Sequence, residues 1–216
     1  MIPVRYCTSA GEYFSSKKAL FEENSQLRKK IAEISLELNQ IKEVSAENGR
    51  LRALMEFEKK TKFNTVSAEV IARNPNDWIG SFIINKGAKD GLKENSAVCS
   101  SAGLLGKITE LNDNSSSVML ITHPGFRAGG MLRDSRINGV VAGAGKGLVK
   151  MFYIPVDANV AEGAEVITSG YSTIFPEGIS IGRVISVDKG KTGLFKCALI
   201  KPSADPFTQE EVLCIK

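Results

Sequence analysis

The chain is poor in the groups that catalysis, metal binding and membrane spanning require. It has one histidine, His123, in 216 residues, and its four cysteines, Cys7, Cys99, Cys197 and Cys214, form no C-x-x-C pair. No ligand cluster and no dithiol motif follow from that spacing, so neither a metal nor a cofactor is expected. Cys99, Cys197 and Cys214 sit in or beside apolar runs and read as buried thiols. Nowhere is there an apolar run long enough to read as a membrane span. The start, Met1 to Cys7, also lacks the apolar core of a secretory signal. A net charge of +4 is small, and the two signs alternate along the N-terminal part, so nucleic-acid binding is not expected.

Between Lys17 and Lys60 proline is absent and glycine occurs once, at Gly49. Apolar residues there recur at alternating spacings of three and four, the seam of a coiled coil. Leu20, Leu27, Ile34 and Ile41 take the d positions, and Asn24, Ile31, Leu38 and Ser45 take the a positions, two of the four being polar at a cost in stability. A single helix cannot bury such a stripe alone, and a buried Asn at a favours two strands, so a parallel homodimer is expected ahead of the alternative, a monomeric helix folded back onto the rest of the chain. After Ile41 the stripe shifts to Val44, Leu51 and Met55, with Asn48 and Gly49 interrupting it. That marks a change of phase.

Beyond the helix the pattern becomes short β-rich runs separated by turn residues, among them Asn74-Pro75-Asn76-Asp77, Lys89-Asp90-Gly91 and Asn112-Asp113-Asn114. An internal echo runs through these strands. Leu92 to Val98 answers Val160 to Val166, Gly103 to Ile108 answers Gly178 to Val184, and Leu120-Ile121 resembles Leu199-Ile200. Two copies of one β unit explain this order. The expected fold is mainly β with an N-terminal α-helical coiled coil and two small six-stranded Greek-key-type β-barrels. The expected divisions are a lead-in over 1–16, the coiled-coil helix over 17–62, barrel 1 over 63–136 and barrel 2 over 137–216.

Two six-stranded barrels also suit a chymotrypsin-like hydrolase, whose catalytic groups lie between such barrels. His123 is then the base and Ser169 the nearest nucleophile, but no Gly-x-Ser-Gly surrounds Ser169. His123, next to Pro124, reads more simply as a turn residue. Gly143 to Gly147 is glycine-rich without Walker spacing and reads as a hairpin. An adaptor with a helical hairpin between β segments is disfavoured, because one helix precedes all the strands. No catalytic residue is assigned.

The order of several motifs resembles one family. Arg73-Asn-Pro75-Asn-Asp-Trp78 is followed by Ile84 to Leu92, containing Gly87 and Gly91, and by Gly103 to Ile108, containing Gly106. Thr168-Ser169-Gly170 then continues to Phe175-Pro176-Glu-Gly178-Ile-Ser-Ile-Gly182-Arg-Val184. With Glu23-Asn24, Glu47-Asn48 and Leu51 to Leu54 in the helix, the chain from about Leu20 onward is similar to the MreC family of bacterial rod-shape-determining proteins. The resemblance implies a non-enzymatic, homodimeric scaffold of the elongasome, acting in peptidoglycan synthesis and cell shape. It implies a periplasmic or extracytoplasmic place at the cell membrane. The implied partners are MreB, MreD, RodA and the elongation-specific class B transpeptidase. Members of the family carry a membrane helix before the coiled coil, so a start that is wrong or trimmed is expected ahead of a version anchored differently.

Overall fold

A computed structural model of the protein describes residues 7–60, 63–73, 80–171, 174–189 and 194–216. Among the described residues one α-helix, α1 (Cys7–Lys60), precedes twelve strands. It begins earlier than expected, so the lead-in assigned to 1–16 is helical from Cys7. Gly11 costs about 1 kcal/mol there relative to alanine, which a turn added to an existing long helix tolerates because nucleation is already complete. By internal contacts the chain divides into two units, Met1–Arg50 and Leu51–Lys216.

The strands are β1 (Thr65–Arg73), β2 (Ser81–Ile84), β3 (Ala97–Ser100), β4 (Gly103–Leu111), β5 (Ser116–Leu120) and β6 (Arg127–Leu132). They continue as β7 (Asn138–Gly145), β8 (Leu148–Pro155), β9 (Glu165–Thr168), β10 (Ser180–Lys189), β11 (Phe195–Pro202) and β12 (Glu211–Ile215). They form two closed barrels, β1-β12-β3-β4-β5-β2 and β10-β11-β8-β7-β6-β9. Closure removes the unpaired edges that short antiparallel sheets otherwise present.

The contiguous split at 136/137 does not hold. Strand β6 precedes that point yet belongs to barrel 2, and β12 returns from the C-terminal end to lie between β1 and β3 in barrel 1. The reason is long-range pairing: Leu213 stands opposite Cys99 and Val66 opposite Cys214, contacts that no local pattern encodes.

The barrels repeat one hydrogen-bonding frame. Val98 pairs with Gly106 as Val166 pairs with Gly182, and the register shifts at the next step in both. Gly106 stands opposite Leu120 as Gly182 stands opposite Pro202, with a bulge after Ile108 in one and after Val184 in the other. Thus Leu120 corresponds to Pro202, whereas the sequence echo pairs it with Leu199. The frame also explains two glycines. A Cβ on Gly106 would lie 2.0 Å from the Met119 carbonyl oxygen, and one on Gly182 would lie 2.2 Å from that of Lys201.

Two cores result. Phe82, Ile84, Val98, Leu105, Ile108, Val118 and Val212 fill barrel 1. Residues on the other face of its β3, β4 and β12, including Cys99, Leu104 and Ile215, pack into one cluster with Val141, Met151, Val166 and Ile200 of barrel 2. Alternation along each strand makes this possible, since neighbouring residues point to opposite faces. Phe57, from the last turns of α1, and Phe63 pack on the same cluster.

Candidate interaction site

On α1, Leu27, Ile31, Ile34, Leu38 and Ile41 are between 48% and 68% exposed. The side chains of Leu20 and Asn24 lie outside the described residues. A stripe of large aliphatic side chains at heptad spacing, left in solvent along a helix, is a surface made to be covered. The helix stays unbroken through the phase change, where Asn48 Nδ2 donates to the Val44 carbonyl at 3.3 Å and nothing lies near Gly49.

The motif residues on the barrels do a different job. Gly87 opens a short 3-10 turn, Ala88–Asp90, that lies against the Asn112–Asp113 backbone, where a Cβ would be 2.2 Å from the Asn112 oxygen. The Asp90 carboxylate accepts from the Gly87 N–H at 3.0 Å and pairs with Lys86 at 3.1 Å. The Gly87 amide, then Lys86, hold its carboxyl below the ordinary carboxylate value. Gly91 ends the turn in the left-handed region at φ +83.

Thr168 to Val184 forms a clip. The Thr168 hydroxyl donates to the Pro176 carbonyl and accepts from the Ile179 N–H, while the Gly178 N–H donates to the Thr168 carbonyl. Ser169 is buried and its N–H donates to the Gly129 carbonyl. Gly170 turns at φ +70 against Glu177, and Phe175 is buried against the ring of Phe126 at 5.7 Å. Gly106, Gly170, Gly178 and Gly182 thus meet steric or left-handed demands of the fold, Ser169 and Phe175 are buried in it, and Pro176 supplies a carbonyl to the clip; Pro75 and Trp78 lie outside the described residues.

The hydrolase reading finds a buried serine and a histidine held in a turn, where His123 Nδ1 accepts from the Gly125 N–H at 2.9 Å. Among the described residues no group of His, Cys, Asp and Glu is placed to hold a metal ion, and no helix is long and apolar enough to cross a membrane. Cys99 and Cys214 are buried free thiols, as their sequence surroundings suggest, and Cys197 is half-buried.

The family described as Rod shape-determining protein MreC, barrel core, matches residues 70–216. The chain belongs to the MreC family. Its relatives include the cell shape-determining protein MreC of Listeria monocytogenes, 28% identical over 99% of this chain and 75% of that protein. The MreC of Bacillus subtilis is 30% identical over 94% of this chain and 74% of its own length. A solved Listeria monocytogenes MreC matches at a TM-score of 0.69 and 30% identity, covering 90% of this chain and 95% of that one. Two more distant structures share the fold. One is a complex between Penicillin-Binding Protein (PBP2) and MreC from Helicobacter pylori, at 21% identity and TM-score 0.60, covering 71% and 98%. The other is the major periplasmic domain of a cell shape-determining filament MreC, at 22% identity and TM-score 0.62, covering 70% and 95%.

The motifs legible in the sequence thus lead to the family through its architecture. The outward-facing residues of barrel 2, which carry no glycine or proline signature, were invisible to that reading; only the repeat, aligned strand by strand, brings them out.

Proposed function

We propose that this MreC-family chain is a non-enzymatic scaffold of the cell-elongation machinery, dimerising through α1 and binding peptidoglycan synthases through its barrels. The observation that carries the reading is the exposed seam from Leu27 to Ile41. Each Leu or Ile fully buried there contributes roughly 1.5–3 kcal/mol, so a second α1 laid alongside recovers what the isolated helix leaves in water. Dimerisation brings two pairs of barrels together. Bound partners are then held at one place, and regulation acts by proximity rather than by chemistry.

The Helicobacter pylori complex supports a class B transpeptidase as one partner. MreB, MreD and RodA follow from the family resemblance. Placement on the extracytoplasmic face of the cell membrane follows from the same resemblance, supported by the periplasmic domain of the filament-forming relative.

Sedimentation equilibrium at tens of micromolar tests the dimer. The chain is expected to sediment as a dimer, and the triple variant Ile31→Asp, Ile34→Asp, Leu38→Asp as a monomer with unchanged β circular dichroism. A wild-type monomer at that concentration contradicts the proposal.

A further inference from the structure

The repeat supplies an internal control for what each barrel turns outward. Following the shared frame, Ser117 stands opposite Ile83 as Leu199 stands opposite Lys150. Asn85, whose N–H donates to the Glu69 carbonyl at 3.0 Å, corresponds to Phe152, which is paired with Val140. At the bulges Thr109 corresponds to Ile185. Every one of these side chains points away from its barrel core, because the neighbours on the same strands are buried inside. Four places that carry Glu, Asn, Ser and Thr in barrel 1 therefore carry Val, Phe, Leu and Ile in barrel 2. Lys150 in place of Ile83 and Lys201 in place of Met119 are exchanges in the opposite direction.

The frame does not require apolar residues at these four places, since barrel 1 closes on the same ladders with Glu69, Asn85, Ser117 and Thr109 there. Next to Phe152, Tyr153 is held at φ +61, which a bulky residue rarely adopts, and the residue is 61% exposed. It meets Phe195 edge-on at 5.8 Å. Strained backbone that displays an aromatic residue to solvent, on the strand that also turns Phe152 outward beside Val140, marks a recognition surface.

We infer that the outer face of β7, β8, β10 and β11 docks a protein partner whose apolar surface is rimmed by carboxylates. Charge selects this occupant. Lys150, Arg183 and Lys201 share the outward register with one acidic residue, Asp188. A second copy of a face with three cations against one carboxylate meets repulsion, whereas an acidic rim is complementary. The inference rests on the reading that a class B transpeptidase is a partner, and it names the surface used.

The test gives barrel 2 the residues that barrel 1 carries at the same places: Val140→Glu, Phe152→Asn and Leu199→Ser together. Binding of the purified chain to the extracytoplasmic domain of the elongation transpeptidase from the same cell is measured by calorimetry. The expected result is at least tenfold weaker binding with the thermal midpoint and the dimer unchanged. Lys150→Glu, a single change at a half-buried side chain on the outer face, is expected to weaken binding threefold or more at low salt and less at high salt. Asn85→Ala in barrel 1 leaves binding as it is. Wild-type affinity in both the triple variant and Lys150→Glu overturns the inference while leaving the transpeptidase reading intact. Loss of binding to phosphatidylglycerol vesicles with transpeptidase binding unchanged overturns it in favour of a membrane surface. A wild-type chain that does not bind the transpeptidase overturns the partner reading and this inference with it.

Discussion

Ser117 and Leu199 occupy the same place in two closed barrels, each on the strand that follows the glycine-bearing one and each opposite the same side of its neighbour. One is polar and the other is not. The same contrast holds for Asn85 and Phe152, while Gly106 and Gly182 are identical and serve an identical close approach to a carbonyl oxygen. Positions where backbone meets backbone are held by geometry and cannot vary without cost. Positions on the outside are free to follow whatever each barrel touches. The difference between the barrels lies in those outward positions, drawn on a frame that both share.

The comparison makes its largest prediction where the frame is tightest. Gly106→Ala and Gly182→Ala each force a Cβ against a backbone carbonyl, and each is expected to cost about 3 kcal/mol in urea unfolding. Similar losses at both sites sharpen the equivalence; a loss at one alone breaks it.

An effect smaller per residue separates the barrels. Cys214 and Cys99 stand in barrel 1 where Leu132 and Ile167 stand in barrel 2. Burial pushes the Cys214 thiol up to about 12, and burial, with Cys214 nearby, pushes Cys99 well above its ordinary value. An unfolded thiol ionises near pH 8.5 while the folded one keeps its proton. The raised folded pKa means that stability is full below about pH 8.5 and falls as pH rises towards the folded value. Between pH 7 and pH 10 this amounts to roughly 2 kcal/mol per thiol. The double variant Cys99→Val, Cys214→Val is expected to lose correspondingly less over that range. An equal alkaline loss in both proteins assigns it to other groups.

How far these features were legible in the sequence follows from their range. The seam from Leu27 to Ile41 and the strand periods are local, and a repeat of 3.5 or 2 residues shows itself within a dozen positions. Much of the repeat was legible too, because Gly106 and Gly182 answer a steric demand that only glycine meets. The return of β12 to barrel 1 was not. Val212 to Ile215 reads as a buried strand wherever it pairs, and its partners Val66 and Cys99 lie far away in the chain. Nor was the contrast between Asn85 and Phe152, since an isolated Phe in a strand reads as core until the register shows which way it points.

The most direct test of the contrast uses a thiol that the protein already has. Cys197 lies on the outer face of barrel 2, half-buried, and corresponds to Ser115 in barrel 1. Alkylation at native Cys197 and at Ser115→Cys is followed by mass spectrometry with and without the transpeptidase domain. Slower alkylation at Cys197, with no change at position 115, is the predicted result. Equal rates at Cys197 with and without the partner, or protection at position 115 instead, contradict the assignment of barrel 2 as the docking face.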